Sequence, residues 1–411
     1  MNKIIVAHPG RQHSYRIASA LKKNNMLLKY VTTVYDKDTF LMKLTKIFLS
    51  KENLNRANGR KNKDLDDQDV IQYYEFRGLI ETLLSRSSKL KFLYSYWQQK
   101  TADKFGLKVA KLAIELNADA VVMYDVNAKE CFKYLKQYAP NILRIMDVSA
   151  ANRLYMKKIY EDDMKICPEF SNKLLQERKI LWNEKFCKRI NDEICLTNIF
   201  LVPSSFVAKS LEYRGISKEQ IKLCPYGTNF SPYFCSKKLD DEKIKAIYVG
   251  NVTEMKGIYY LLEAALLLKD KMTLTVVGNY DNSEHYFDKY LKSVDFIGRV
   301  QHDKVKEYLK ESEVFIFPSL GEGLSLSVLE AMSMGLTCIV SENSGANDAI
   351  KDYENGFVIN IQNIQAIVDK INWLYENKNQ INYIGKNAYL TSFSYTWNNY
   401  EKRIVDIFNK L

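Results

Sequence analysis

Cysteine and histidine are scarce. Seven cysteines and four histidines among 411 residues leave little material for a metal centre or a disulfide framework. The cysteines are scattered, Cys187 and Cys195 are the closest pair, and no C-x-x-C occurs. Neither a zinc site nor a redox pair is indicated, and reduced thiols are expected. Long apolar runs are missing as well. No segment approaches the roughly 20 residues needed to span a bilayer. The run near the start, from Lys3 to Ala7, is shorter than a signal-peptide core, so a cytoplasmic chain is expected. Negative charge is in deficit: 49 acidic residues face 60 basic ones, a net charge of +11. That balance favours anionic partners. Nucleic acid is set aside, because no aromatic-basic recognition module occurs. The acidic triplet Asp67-Gln68-Asp69 has charged neighbours and no apolar strand before it. It reads as a solvated loop rather than as a metal site.

What is present is alternation. Length and a hydrophobic content of 46% suit two domains with separate cores. Lys3 to Ala7, Leu28 to Thr33, Ala118 to Tyr124, Ile142 to Met146, Phe200 to Val202 and Ile221 to Cys224 read as strands with helical stretches between them. Residues 1–230 are expected to form the first unit and 231–243 a linker. A second series covers 244–390, with strands at Ile244 to Val249, Leu274 to Val277, Asp295 to Ile297, Val314 to Phe317 and Thr337 to Val340. Such a double series predicts an α/β protein of two doubly wound, Rossmann-like domains. Helical spacing returns at Trp397, Tyr400, Ile404, Ile407 and Phe408. Between Phe40 and Lys51, apolar residues and Lys43, Lys46 and Lys51 share helical spacing, which suits an anionic membrane surface or the helix's own domain.

The densest signal lies at 314–335. An apolar strand ends at Pro318, a turn Ser319-Leu320-Gly321-Glu322-Gly323 follows, and a helix then runs to Gly335. This order sets a helix N-terminus at the carboxyl end of a strand, where open α/β sheets bind anions. Glu322 faces outward from the turn and Glu330 from about the second helical turn, suited to sugar hydroxyls. An isolated pair at that spacing would be an ordinary helix-start glutamate and an exposed one. Embedded in P-S-x-x-E-G with L-E-A-M further on, the string resembles the donor-site signature of family 4 glycosyltransferases, retaining enzymes of the GT-B fold. Gly250-Asn251 through Lys256-Gly257 resembles the same family's G-R-x-x-x-x-K-G, with Asn251 in the arginine position. Pro225-Tyr226-Gly227-Thr228-Asn229 resembles its P-N-G-V-D, with Tyr226 and Asn229 as variants.

The resemblance implies two domains facing a cleft, with the helix 391–411 crossing back to the first. It implies donor contacts from Gly10, Asn251, Lys256, Val300, Glu322, Gly323, Leu324, Ser325 and Glu330. Lys256 and Glu322 are the expected catalytic residues, joined by Asp147, whose carboxylate could orient an acceptor hydroxyl or equally cap the next helix. The implied reaction is retaining transfer from a nucleotide-diphosphate sugar to a glycan or lipid-linked glycan in cell-surface polysaccharide synthesis. No metal and no other cofactor is expected. Location is expected to be cytoplasmic, with peripheral contact at the inner face of the plasma membrane. A nucleotide-sugar epimerase and a non-catalytic nucleotide or polyanion binder remain as alternatives.

Overall fold

The alternating apolar runs become two parallel sheets. The computed structural model describes residues 3–10, 12–37, 39, 60–84, 91–228, 234, 236–237, 239, 242–280 and 285–411. The stretch from Phe40 to Lys51, expected as a basic amphipathic helix, lies outside the described residues, as do Asn229 and much of the linker.

The first sheet holds β1 (Ile4–Ala7), β2 (Leu27–Thr32), β3 (Val70–Gln72), β4 (Ala120–Tyr124), β5 (Leu143–Asp147), β6 (Ile199–Val202) and β7 (Ile221–Leu223), in the order β3-β2-β1-β4-β5-β6-β7. The second holds β8 (Ile244–Val249), β9 (Met272–Val277), β10 (Val294–Gly298), β11 (Val314–Phe317), β12 (Thr337–Ser341) and β13 (Phe357–Ile359), in the order β10-β9-β8-β11-β12-β13. All these pairings are parallel. Strands β1, β4, β11 and β12 are buried at every position, since helices cover both faces. In each sheet the strand order reverses once, at β1/β4 and at β8/β11. These switch points open crevices at the carboxyl ends of the strands.

Helices α1 (Ser14–Lys23), α2 (Glu75–Leu84), α3 (Lys91–Glu115), α4 (Lys129–Tyr138), α5 (Arg153–Ile166), α6 (Pro168–Arg178), α7 (Glu184–Leu196) and α8 (Ser205–Glu212) belong to the first half. Pro168 divides α5 from α6, sitting at the first helical position where its missing N–H costs nothing. The second half carries α9 (Ile258–Leu267), α10 (His302–Glu311), α11 (Leu326–Ser333), α12 (Ile364–Glu376), α13 (Asn379–Ser392) and α14 (Trp397–Lys410). Sequence reading did not identify β3, α2, β13, α12 or α13. Asp67 to Asp69 proves to be solvated loop as expected, tied by ion pairs to Lys61 and Lys22.

The last helix does cross back. Helix α14 packs on α1, burying Tyr400, Ile404 and Phe408. Arg16 stacks 4.8 Å from the Trp397 ring and lies 3.5 Å from Glu401. Thr228 bridges to Thr396, and a Cβ on Gly227 would lie 2.1 Å from the Trp397 nitrogen. Only glycine permits that approach. No helix among the described residues is long and apolar enough to cross a membrane.

Candidate active site

The motif residues gather at the second switch point. The loop after β8 runs from Gly250 through a short 3-10 turn, Glu254–Lys256, to Gly257. Gly257 is left-handed at φ 69°, and a Cβ there would lie 2.0 Å from the Pro318 carbonyl oxygen. The two loops of the switch point, after β8 and after β11, are therefore in direct contact. Leu320 N–H donates to the Met255 carbonyl at 3.1 Å, and Ser319 Oγ donates to the same oxygen at 3.1 Å. Lys256 Nζ donates to Glu322 Oε1, with both side chains about four-fifths buried. The ammonium also lies 5.5 Å from the Phe317 ring centroid. A cation and a carboxylate thus share one place at the mouth of β8 and β11.

The remaining second-domain candidates spread around this pair. Gly323, Leu324 and Ser325 are buried and lead into α11, and Ser325 N–H donates to the Ser344 carbonyl at 3.1 Å. Glu330 is half-buried on α11, where burial raises its pKa and nearby His302 and Lys306 oppose the rise. Among the described residues no hydrogen bond reaches its carboxylate. Asn251 is exposed and uses its carbonyl to accept from Tyr248 OH at 2.8 Å. Val300 is half-buried beyond β10, against the core of this domain.

Across from them stands the first domain. A Cβ on Gly323 would lie 1.9 Å from the Ser149 carbonyl oxygen, so the domains meet backbone to backbone. Ser204 Oγ donates to the Gly323 carbonyl at 2.5 Å, and Tyr260 OH donates to Asp163 at 2.6 Å. Glu177, at the end of α6, accepts from the backbone N–H groups of Glu254 and Met255 at 3.4 and 3.5 Å. Between the domains lies a cavity of about 150 Å³, bounded by Ser149, Arg153, Tyr160, Arg178, Glu322 and Gly323.

A larger cavity of about 620 Å³ opens at the first switch point, and shares Ser149 and Arg153 with the smaller one. Gly10 lines it, on the first-domain side, apart from the Lys256–Glu322 pair. Beside Gly10, His8 Nδ1 accepts from the Gly10 N–H at 2.7 Å. Burial lowers the His8 pKa to about 4, so the ring is neutral near pH 7 and its proton is left to Nε2.

Asp147 does not line either cavity. Its side chain is 3% exposed, and it is held by His13 Nε2 at 3.1 Å and Tyr226 OH at 3.3 Å. Tyr226 and Tyr400 pack around His13, so the strand end is covered from the side of α14. Two carboxylates line the large cavity, Glu81 on α2 and Asp125 after β4, and the sequence singled out neither. Asp125 is the one at the switch point. Ser149 Oγ donates to it at 3.2 Å, Arg153 lies 3.7 Å away, and burial raises its pKa. Its position just after β4 was the available signal, given a switch point at β1/β4. The turn beyond it is held from a distance. Glu193 on α7 accepts from the N–H groups of Val126 and Lys129 at 2.8 and 3.0 Å, and Val126 takes a φ of 74°. Burial raises the Glu193 pKa to about 7.

Residues 232–391 match the family model described as glycosyl transferases group 1. The UDP-Gal:alpha-D-GlcNAc-diphosphoundecaprenol alpha-1,3-galactosyltransferase of Escherichia coli is 39% identical over 215 residues, covering 48% of this chain and 51% of that protein. The N,N'-diacetylbacillosaminyl-diphospho-undecaprenol alpha-1,3-N-acetylgalactosaminyltransferase of Campylobacter jejuni is 27% identical over 174 residues, covering 42% and 46%. The chain spans about half the length of the curated relatives it matches. Similarity of fold extends further. The apo form of the lipopolysaccharide outer core galactosyltransferase WaaB superimposes with a TM-score of 0.67 at 16% identity, over 100% of this chain and 99% of that one. The fold is GT-B.

Proposed function

We propose, from a second domain that matches the family model described as glycosyl transferases group 1, that this chain is a retaining glycosyltransferase. It moves a sugar from a nucleotide-diphosphate sugar to a hydroxyl of a glycan or lipid-linked glycan, in cell-surface polysaccharide synthesis. The observation that carries this reading is the Lys256–Glu322 pair at the β8/β11 switch point, pressed against the first domain.

In this reading Lys256 and the amides leading into α11 meet the diphosphate, whose charge grows as the bond to the anomeric carbon breaks. Glu322 and Glu330 accept hydrogen bonds from sugar and ribose hydroxyls. The acceptor occupies the larger cavity, where Asp125 and neutral His8 offer an acceptor and a donor to its hydroxyls. The acceptor oxygen attacks the anomeric carbon from the face the leaving group vacates. Its proton passes to the departing phosphate oxygen. The step is proposed to run without a metal, with Lys256 and the backbone amides supplying the counter-charge.

Relatives named for undecaprenol-linked substrates support a lipid-linked acceptor. With the net charge of +11, they also support cytoplasmic work at the inner face of the plasma membrane. The transferases among the relatives favour transfer over epimerisation. Incubation with UDP-, GDP- and ADP-sugars, followed by detection of the released nucleotide, tests the reading. Acceptor-stimulated release of one nucleotide is expected. A 2-epimer formed without acceptor, or binding without turnover, would replace it with one of the alternatives.

A further inference from the structure

The resemblance to family 4 glycosyltransferases implies that both cations of G-R-x-x-x-x-K-G hold the donor diphosphate, and this chain has Asn251 in the place of the arginine. Its side chain is exposed and carries no charge. The loop is otherwise intact, with Lys256 against Glu322. If the donor site is as proposed above, the leaving diphosphate lacks half of its expected counter-charge. The structure brings a second cation to the same place from the opposite domain.

Arg178 is the last residue of α6. Its guanidinium reaches over the 3-10 turn of the second domain, and Nη2 contacts Met255 Sδ, next to Lys256. The Arg178 side chain also pairs with the buried, neutral phenol of Tyr160, and neither a phenol nor a thioether, a weak acceptor, compensates a guanidinium. Arg178 Nε is buried and has no hydrogen-bond partner among the described residues. The neighbouring carboxylate, Glu177, is engaged with backbone N–H groups of the same turn. Arg153, the other arginine of this cavity, is turned to Asp125. Arg178 is therefore a cation with an unspent donor, bordering the cavity that also holds Glu322 and Gly323. Buried donors of this kind are normally satisfied. A diphosphate offers the planar guanidinium the oxygens it lacks.

We propose that Arg178 replaces the missing arginine of the β8 loop, so that the donor diphosphate is held by Lys256 from one domain and Arg178 from the other. The proposal rests on the donor-site reading above and adds a consequence to it. A diphosphate clamped from both sides binds only when the cleft is closed, so donor binding and closure become one event. In a chain with both cations on one loop they are separable.

Calorimetric titration with UDP, GDP and ADP identifies the nucleotide that binds, and the matching nucleoside serves as a phosphate-free control. Arg178→Ala should weaken the nucleoside diphosphate at least tenfold and leave the nucleoside unchanged. Adding Asn251→Arg to that variant should restore most of the loss, because it returns the charge to the second domain. If Arg178→Ala does not fold, Arg178→Gln is read in the same way. Unchanged diphosphate affinity in the Arg178 variant, while Lys256→Ala weakens it, would overturn the Arg178 assignment and leave the donor site standing. Loss that Asn251→Arg does not restore would overturn it too, making Arg178 a packing residue. If the unaltered protein binds none of the three nucleotides, the donor reading itself fails.

Discussion

The two switch points solve the same problem by different means. At β8/β11 the site is local: Lys256 and Glu322 each follow their strand within a few residues, and the loops hydrogen-bond to each other. At β1/β4 the site is assembled from afar. Asp125 lies after β4, Arg153 and Ser149 come from beyond β5, and the turn between is pinned by Glu193 from α7. The cavities differ accordingly, about 150 Å³ between the domains against about 620 Å³ in the first. Under the proposed function, the diphosphate is a fixed shape and suits a compact loop pair. The proposed acceptor would vary from enzyme to enzyme, and a cavity lined by scattered residues can change without disturbing the loops at β8/β11.

The sharpest test of that division is Asp147, which lies in the first domain but outside its cavity. Asp147→Ala removes the acceptor of both His13 and Tyr226. Orphaning a buried phenol and a part-buried imidazole costs about 1–3 kcal/mol each, so thermal unfolding should show a loss of about 2–6 kcal/mol. Nucleotide affinity should hold at temperatures where the variant is folded. A fully stable variant with abolished turnover would return Asp147 to the catalytic role its strand-end position suggested. Lys256→Ala should act in the opposite sense, sparing stability and removing about 2–4 kcal/mol of transition-state stabilisation, the usual loss for one charge-stabilising donor. Wild-type kcat/KM in that variant would end the donor assignment.

The same contrast explains what was legible. Glu322, Gly323, Lys256 and the strands flanking them could be read because their chemistry lies within single strand-turn-helix units. Asp147 could be identified as a strand end but not as a covered one. Its lid comes from Tyr226 and Tyr400, far away in sequence. Asp125 was missed for the matching reason: only the sheet order shows that β4 borders the switch point. Strand β3 is three residues long and depends on β2 for its pairing. Helices α12 and α13 bear no motif, and their apolar faces pack on α9 and α11 and against the second sheet.

The contact between the two regions gives a smaller effect. Gly323→Ala would set a methyl group 1.9 Å from the Ser149 carbonyl oxygen. Overpacking costs about 1–3 kcal/mol, and here the domains can escape it by separating. Turnover should fall while the unfolding temperature stays near that of the parent. Unaltered turnover would show that the closed contact is not the working form.

The smallest effect per step belongs to Glu193, which tests whether the distant pin of the first site behaves as a buried acid. Its carboxyl is fully buried, and desolvation raises its pKa from 4.5 to about 7. A carboxyl held above its unfolded pKa binds a proton more tightly in the folded chain than in the unfolded one. Stability from this group is therefore complete below the ordinary carboxyl range and is lost as pH rises through the folded value. The slope is at most about 1.4 kcal/mol per pH unit, and it vanishes above the folded pKa. Glu193→Gln cannot ionise and keeps one acceptor oxygen for the Val126–Lys129 turn. Denaturant unfolding between pH 5 and 8 should decline less with pH in that variant than in the parent. If the two chains lose stability in parallel over that range, Glu193 does not govern the turn through its charge. The strained Val126 conformation is then held by the hydrogen bonds and packing, with no part for the charge.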